Sequence, residues 1–154
     1  PWLKEGKDLP LSEEDLALLK HLDEPRWFED EHLVSELRPV LEPLAAYYFL
    51  KARNSKGRVI DSVARFHLGN GARLERLNFL ADTSERALRR SHGLMVNYLY
   101  DLDEIERNHE AYAEHRTVVA SAAVKRHLRG TAPAALSRDG GGPAAPGSLP
   151  AAGA

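Results

Sequence analysis

The stretch Phe66-His67-Leu68-Gly69-Asn70-Gly71-Ala72 marks the point at which the chain changes from helix to strand. The residues before it, Asp61 to Leu68, are typical of a short helix that Asp61 or Ser62 caps and that Gly69 ends. The residues after it, Arg73 to Leu80, are typical of a strand whose apolar alternation slips near Glu75-Arg76, as a bulge would cause. The sequence therefore predicts a helix–turn–strand unit with a histidine beside its turn.

A second strand and further helices follow this unit. Gly93 to Tyr100 alternates cleanly, which places Leu94, Val96, Tyr98 and Tyr100 on one face and Met95, Asn97 and Leu99 on the other. Helical patterns cover Ser84 to Arg90, Asp103 to His115 and Thr117 to Leu128. Strands among helices, with no regular alternation of the two, predict an α+β fold.

The residues before this unit are predicted to be helical. Ser12 to Leu22 carries a capping-box serine at its start and leucines at helical spacing. Asp30 to Leu37 begins a second helix, which Pro39 and Pro43 are expected to interrupt. A third, largely buried helix is expected from Pro43 to Arg53.

Composition divides the chain at residue 130. Residues 130–154 consist mainly of Ala, Gly, Pro and Ser. Such a segment buries too little apolar surface to offset its ordering entropy, so we expect a disordered tail. Residues 1–129 are expected to form the folded part, and the start at Pro1 leads us to expect a fragment of a longer protein.

Charge and composition exclude several classes of protein. Lys and Arg number 21 against 23 Asp and Glu, which argues against nucleic-acid binding, because that function needs clustered positive charge. The longest apolar runs fall well short of a membrane-spanning helix, which needs about 18 residues or more. The chain has no cysteine, which excludes disulfides and thiolate chemistry within it and is compatible with a cytoplasmic protein.

His67 is the first candidate for catalysis. A histidine titrates near neutral pH, so it can give or take a proton under working conditions. The adjacent Gly69 and Gly71 would let a ligand approach the backbone closely. The alternative is that Gly69-Asn70-Gly71 is only a helix stop and turn, and that His67 is a packed ring.

Tyrosines and asparagines supply further candidates. Tyr98 and Tyr100 could donate a hydrogen bond to a developing enolate or hold a histidine in place, although such tyrosines more often only pack. Asn70 and Asn97 could orient polar groups of a substrate. No metal site is expected, because the chain lacks a His-Glu-x-x-His pattern, and His109 and His115 lie too far apart to share a helix face.

Several blocks in one order resemble the C-terminal part of malonyl-CoA decarboxylase. The blocks are Phe66 to Ala72, Gly93-Leu94-Met95-Val96-Asn97-Tyr98-Leu99-Tyr100 and Asn108-His109-Glu110-Ala111-Tyr112. The resemblance runs from about Leu11 to Leu128. Two positions depart from it: Ser62 stands where the family usually has proline, and Glu75 where it often has an aromatic residue.

The resemblance implies an activity and a role for each site residue. Malonyl-CoA would be the substrate, and acetyl-CoA and carbon dioxide the products, formed without metal or biotin. The fold would be part of an acetyltransferase-like α/β catalytic domain, and the full-length protein could be a homo-oligomer. His67 would be the proton donor, with Tyr100 as a second site residue.

The serine that handles the malonyl carboxylate in the family lies upstream in a Ser-Pro-Ile-Pro-Gly-type motif that this chain lacks, so the chain alone is expected to be inactive. The alternative is a non-catalytic acyl-CoA-binding or assembly module of the same fold.

Overall fold

The computed structural model describes residues 11–129. Within that range, six α-helices accompany a two-stranded antiparallel sheet, so the predicted α+β class is confirmed. The elements run in the order α1 (Glu13–Leu19), α2 (Glu31–Leu50), α3 (Ser62–Gly69), β1 (Arg73–Asn78), α4 (Glu85–Ser91), β2 (Met95–Leu99), α5 (Ile105–His115) and α6 (Ala122–Arg129), with 3₁₀ helices at Lys20–Asp23 and Trp27–Glu29. The predicted tail, residues 130–154, lies outside the described residues.

Side-chain caps fix where helices begin. Ser12 and Asp15 form the predicted capping box at the start of α1, with bonds of 3.0 and 2.9 Å. Of the two residues that could cap α3, Asp61 does so, because its carboxylate accepts the N–H of Ala64 at 2.7 Å. The start of α3 is thereby fixed, and His67 falls in the last turn of this helix.

Pro39 and Pro43 do not interrupt the second helix as predicted. Both lie inside α2, which runs unbroken for 20 residues. A proline in a helix interior costs about 3 kcal/mol, since it removes a backbone donor and crowds the preceding turn. The buried side chains of Leu37, Leu41 and Leu44 form one stripe across both positions. Each buried leucine contributes about 1.5–3 kcal/mol, so the stripe offsets the cost of the prolines.

The two strands pair from Arg73 opposite Leu99 to Asn78 opposite Met95. Their register shifts between Leu74 and Arg76, which confirms the predicted irregularity near Glu75-Arg76. The shift keeps the inward side chains of both strands on the buried side of the sheet on either side of the irregularity.

Residues 117–121 are extended rather than helical, which corrects the predicted start of the last helix. The N–H of Leu74 donates to the carbonyl of Val119 at 2.9 Å, and the N–H of Ser121 donates to the carbonyl of Leu74 at 3.0 Å. The β-branched residues Thr117, Val118 and Val119 favour this extended backbone. The helix starts only after Ser121, whose hydroxyl accepts the N–H of Val124 at 3.2 Å.

Two apolar clusters hold the described residues together, and α2 takes part in both. The smaller cluster contains Trp27, Leu37 and Leu41. The larger one joins α2, α3, the sheet, α5 and α6 through Ala46, Phe49, Val59, Ala64, Leu68, Leu74, Leu77, Tyr112, Val118, Ala120 and Val124. One side of α3 is therefore anchored in the larger cluster, and its other side is left for the candidate site.

Candidate functional site

His67 sits at the boundary between the buried and exposed sides of α3. Ala64 and Leu68 lie four residues apart and are buried, at 0% and 2% exposure. Phe66 points the opposite way and is 65% exposed. His67 lies between these directions and is half-buried. Its ring is held by a packed helix and still reaches the surface.

Tyr100 holds one nitrogen of the His67 ring. The Nδ1 atom of His67 lies 2.8 Å from the hydroxyl oxygen of Tyr100, a hydrogen bond between residues 33 positions apart. Within the described residues, the other nitrogen, Nε2, has no hydrogen-bond partner. This arrangement leaves Nε2 as the atom that can exchange a proton with a ligand.

Tyr98 covers one face of the same ring. The two ring centroids are 4.3 Å apart and the planes differ by 17°, which is a stacked arrangement. Phe66 meets the ring edge-on at 5.3 Å. His67 is thus constrained by a hydrogen bond to Tyr100 and by ring contacts on its face and edge.

The turn after His67 is shaped by α5. Gly71 has a φ of +86°, and a Cβ atom placed there would lie 2.4 Å from the carbonyl oxygen of Ile105. Asn108 donates from Nδ2 to the carbonyl of Gly71 at 3.2 Å, and His109 donates from Nδ1 to the carbonyl of Gly69 at 2.6 Å. The absent side chain of Gly71 therefore makes room for α5 rather than for a ligand, whereas Gly69 faces open space.

The two asparagines predicted to bind substrate lie in different places. Asn70 is exposed in the turn, three residues beyond His67, with φ −93° and ψ 10°. Asn97 is exposed on the face of β2 opposite Tyr98, where its Oδ1 accepts from Asn78 at 2.5 Å. The structure brings His67 and Tyr100 together and leaves Asn97 outside their surroundings, because successive strand residues face opposite sides.

A groove of about 760 Å³ lies beside the stacked rings. Its walls are mainly apolar and include Leu44, Tyr48 and Val96, while Arg86 and Arg90 of α4 lie along it. A volume of this size falls within the range of small-molecule sites, about 300–1,000 Å³. The groove gives a ligand room next to His67.

Burial keeps the tyrosine hydroxyls of this groove neutral. It raises the pKa of Tyr98 well above its usual range, and the negative charge of Asp61 adds to the rise. Burial and Asp61 also raise the pKa of Tyr48. Both hydroxyls therefore keep their protons at physiological pH.

The buried Asn108 is a structural contributor that the sequence interpretation missed. It is 2% exposed, and its bond to Gly71 ties α5 to the turn that follows His67. The signal available in the sequence was its position four residues before the buried Tyr112, on the same face of α5.

Over residues 11–129, no group of three or more His, Asp or Glu side chains gathers closely enough to hold a metal ion. Nor does any helix of that range have the length and apolarity needed to cross a membrane.

Comparison with known proteins finds malonyl-CoA decarboxylases. The family model described as malonyl-CoA decarboxylase C-terminal domain matches residues 2–138. The chain is 40% identical over 105 residues to the mitochondrial malonyl-CoA decarboxylase of Anser anser anser, a match that covers 68% of this chain and 21% of that protein. It is 38% identical over 105 residues to the mitochondrial malonyl-CoA decarboxylase of Mus musculus, with the same coverage of 68% and 21%.

Solved structures agree with this assignment. Malonyl-CoA decarboxylase from Agrobacterium vitis aligns with a TM-score of 0.78 and 53% identity, over 82% of this chain and 32% of that one. The enzyme of the same name from Rhodopseudomonas palustris aligns with a TM-score of 0.76 and 50% identity, over 81% of this chain and 31% of that one. The chain thus spans about a fifth of the length of its curated relatives and about a third of these solved chains.

Proposed function

This chain belongs to the malonyl-CoA decarboxylase family, and from that membership we propose that the protein carrying it converts malonyl-CoA to acetyl-CoA and carbon dioxide. The observation that carries the proposal is the hydrogen bond of 2.8 Å between His67 Nδ1 and the hydroxyl of Tyr100. It joins two of the sequence blocks on which the family resemblance rests and leaves Nε2 of His67 for the reaction.

Decarboxylation requires a group that donates a proton to the α-carbon of the enolate. When the malonyl carboxylate leaves as carbon dioxide, the electron pair of the broken C–C bond remains on the thioester as an enolate. A proton must then be added to the α-carbon to give acetyl-CoA. In the proposed mechanism, protonated His67 gives its Nε2 proton to that carbon and becomes neutral imidazole. The Nδ1–H stays bonded to the oxygen of Tyr100 throughout, which fixes Nε2 as the reacting atom.

The proposal assigns other parts of the reaction to sequence outside this chain. By resemblance to the family, the serine that handles the carboxylate and most of the acyl-CoA surface lie upstream, in an acetyltransferase-like catalytic domain of which residues 1–129 are a part. A donor without the groups that orient its substrate loses most of the rate advantage of positioning. We therefore propose that the 154-residue chain alone does not decarboxylate malonyl-CoA.

Asn70 and Asn97 remain proposed substrate contacts with different support. Asn70 is exposed three residues beyond His67, a position that supports contact with a ligand of His67. Asn97 pairs with Asn78 on the opposite face of β2, so it would act only on a substrate that extends to that face. The KM for malonyl-CoA in Asn70→Ala and in Asn97→Ala tests each contact separately.

The test of the proposed function is a product assay on the complete protein. Stoichiometric carbon dioxide and acetyl-CoA from malonyl-CoA, in buffer treated with a chelator, would support it. Acyl-CoA binding without turnover would contradict it and favour the non-catalytic module instead. By resemblance to the family, the active enzyme would also carry the serine motif, so the presence of that motif in the complete protein is a second criterion.

Compartment and assembly are also proposals. The avian and rodent relatives carry the word mitochondrial in their names, whereas the lack of cysteine led us to propose the cytoplasm for this protein. Cell fractionation with an antibody to this chain decides between the two. The proposed homo-oligomer of the full-length protein is tested by its mass in solution under light scattering.

A further inference from the structure

The bond to Tyr100 does not by itself fix the orientation of His67. The imidazole turns about its Cα–Cβ and Cβ–Cγ bonds, and a single hydrogen bond at Nδ1, whose angle is only loosely restrained, leaves a range of these two torsions open. Turning the ring in this way moves Nε2 away from any fixed substrate carbon. A second contact, on the face of the ring, is needed to define its plane.

Tyr98 provides that contact. Its ring lies 4.3 Å from the His67 ring at an angle of 17°, so the two planes are nearly parallel. The backbone of Tyr98 is itself well fixed, because it pairs with Leu74 across the sheet. Leu74 is 1% exposed, and on its other side it bonds to Val119 and Ser121. Tyr98 thus rests on a part of the sheet that is held from both sides.

We propose that Tyr98 is a positioning residue that sets the plane of the His67 ring and so aims Nε2 at the α-carbon that is protonated. This inference rests on the proposed function of His67 as proton donor. The ring of Tyr98 carries the effect, not its hydroxyl, because the phenol face is what meets the imidazole. Tyr98 also lines the groove, together with Asp61 and Tyr48.

The kinetic consequence is a loss of turnover without a loss of binding. A misplacement of about 1 Å at a reacting centre can cost up to about 100-fold in rate. Tyr98→Leu removes the flat face and should lower kcat by about 10- to 100-fold, with KM within about twofold of the unaltered protein. Tyr98→Phe keeps the face and should retain kcat within about twofold.

The experiment compares these variants in the complete protein with malonyl-CoA as substrate. Tyr98→Met, which also fills the space without a ring, is measured in parallel so that a folding failure of Tyr98→Leu does not decide the question. Leu77→Ala is the control for lost core packing: it lies in the same cluster, outside the groove, and should lower the thermal midpoint without lowering kcat.

The outcomes separate this inference from the proposed function. Loss of kcat in Tyr98→Leu or Tyr98→Met with rescue in Tyr98→Phe supports the positioning role. Equal loss in Tyr98→Phe overturns it and assigns the effect to the hydroxyl. If kcat is unchanged in Tyr98→Leu and Tyr98→Met, the positioning role is overturned. The proposed function still stands in that case, provided that His67→Asn has lost turnover. Full activity in His67→Asn overturns the proposed function and this inference together.

Discussion

Replacing Gly71 with alanine is expected to destabilise the turn beside the candidate site. Gly71 has a φ of +86°, where residues with a Cβ atom are disfavoured. The added Cβ would lie 2.4 Å from the carbonyl oxygen of Ile105 and 2.8 Å from its Cγ2. The nearest atom belongs to the backbone of α5, so relief requires moving the start of that helix.

The size of the effect follows from three contributions. The left-handed backbone costs a residue with a Cβ about 1–2 kcal/mol. Moving α5 weakens the bond from Asn108 to Gly71, and a neutral hydrogen bond contributes about 0.5–1.5 kcal/mol net. With residual crowding, Gly71→Ala should lower the free energy of unfolding by about 2–4 kcal/mol. For a domain of this size, that corresponds to a thermal midpoint lower by roughly 6–12 °C.

Gly69→Ala is the matched control, two residues away. Gly69 is the last residue of α3, and a Cβ atom there would meet nothing within 4 Å. Alanine is favoured over glycine in helices by about 0.5–1 kcal/mol, so this variant should be as stable as the original chain or slightly more so. Thermal unfolding followed by circular dichroism gives both midpoints. Equal midpoints for the two variants would refute the close approach of α5 to this turn.

Three further results are expected. Tyr100→Phe removes the partner of His67 Nδ1, and kcat should fall about 10- to 150-fold with KM unchanged, because a hydrogen bond to a charged group contributes about 1.5–3 kcal/mol; full activity would contradict the role of Tyr100. Burial lowers the pKa of His92 from its usual 6.5, so the unfolded chain takes up that proton more readily and stability is lost as pH falls below about 6.5. His92→Asn, which suits the φ of 51° at this position, should therefore lose less thermal stability between pH 7.5 and 5.5 than the original chain, and an equal loss would exclude this contribution. Ending the chain at Gly130 should leave the thermal midpoint unchanged, because the sequence beyond it has few large apolar residues to bury; a drop of several degrees would show otherwise.

Local signals in the sequence predicted the elements that local physics determines. The capping box at Ser12, the cap of α3 and the alternation along β2 all depend on residues within a few positions of each other. The register shift near Glu75-Arg76 was visible because the apolar period changes there. These features set the start of α3, which carries His67, and the alternation of β2, which carries Tyr98.

The errors arose where distant packing outweighs local preference. Pro39 and Pro43 disfavour a helix, but a buried stripe on α2 spans both of them. The sequence pattern around Val119 predicts a helix, but a hydrogen bond from Leu74, 45 residues earlier, holds Val119 in an extended segment. Contacts of this range cannot be found from periodicity in a single sequence.

The candidate site was predictable only in part for the same reason. Helix and turn signals marked His67, and its motif position marked Tyr100 as a second site residue, but their contact joins positions 33 residues apart and was not predicted from spacing. The role of Gly71 was misread, because nothing near it in sequence indicates that α5 would pack there. Asn108 was overlooked because its partner is a backbone carbonyl 37 residues away.

The central claim is that His67 supplies the proton in malonyl-CoA decarboxylation, and one measurement tests it most directly. Release of carbon dioxide from malonyl-CoA is followed for the complete protein, for His67→Asn and for His115→Asn, an exposed histidine at the end of α5 that serves as the control. General acid catalysis contributes about 10²–10⁴-fold, so His67→Asn should lose turnover by that factor while acyl-CoA binding and His115→Asn stay near normal. Turnover within a few-fold of the original protein in His67→Asn would contradict the account.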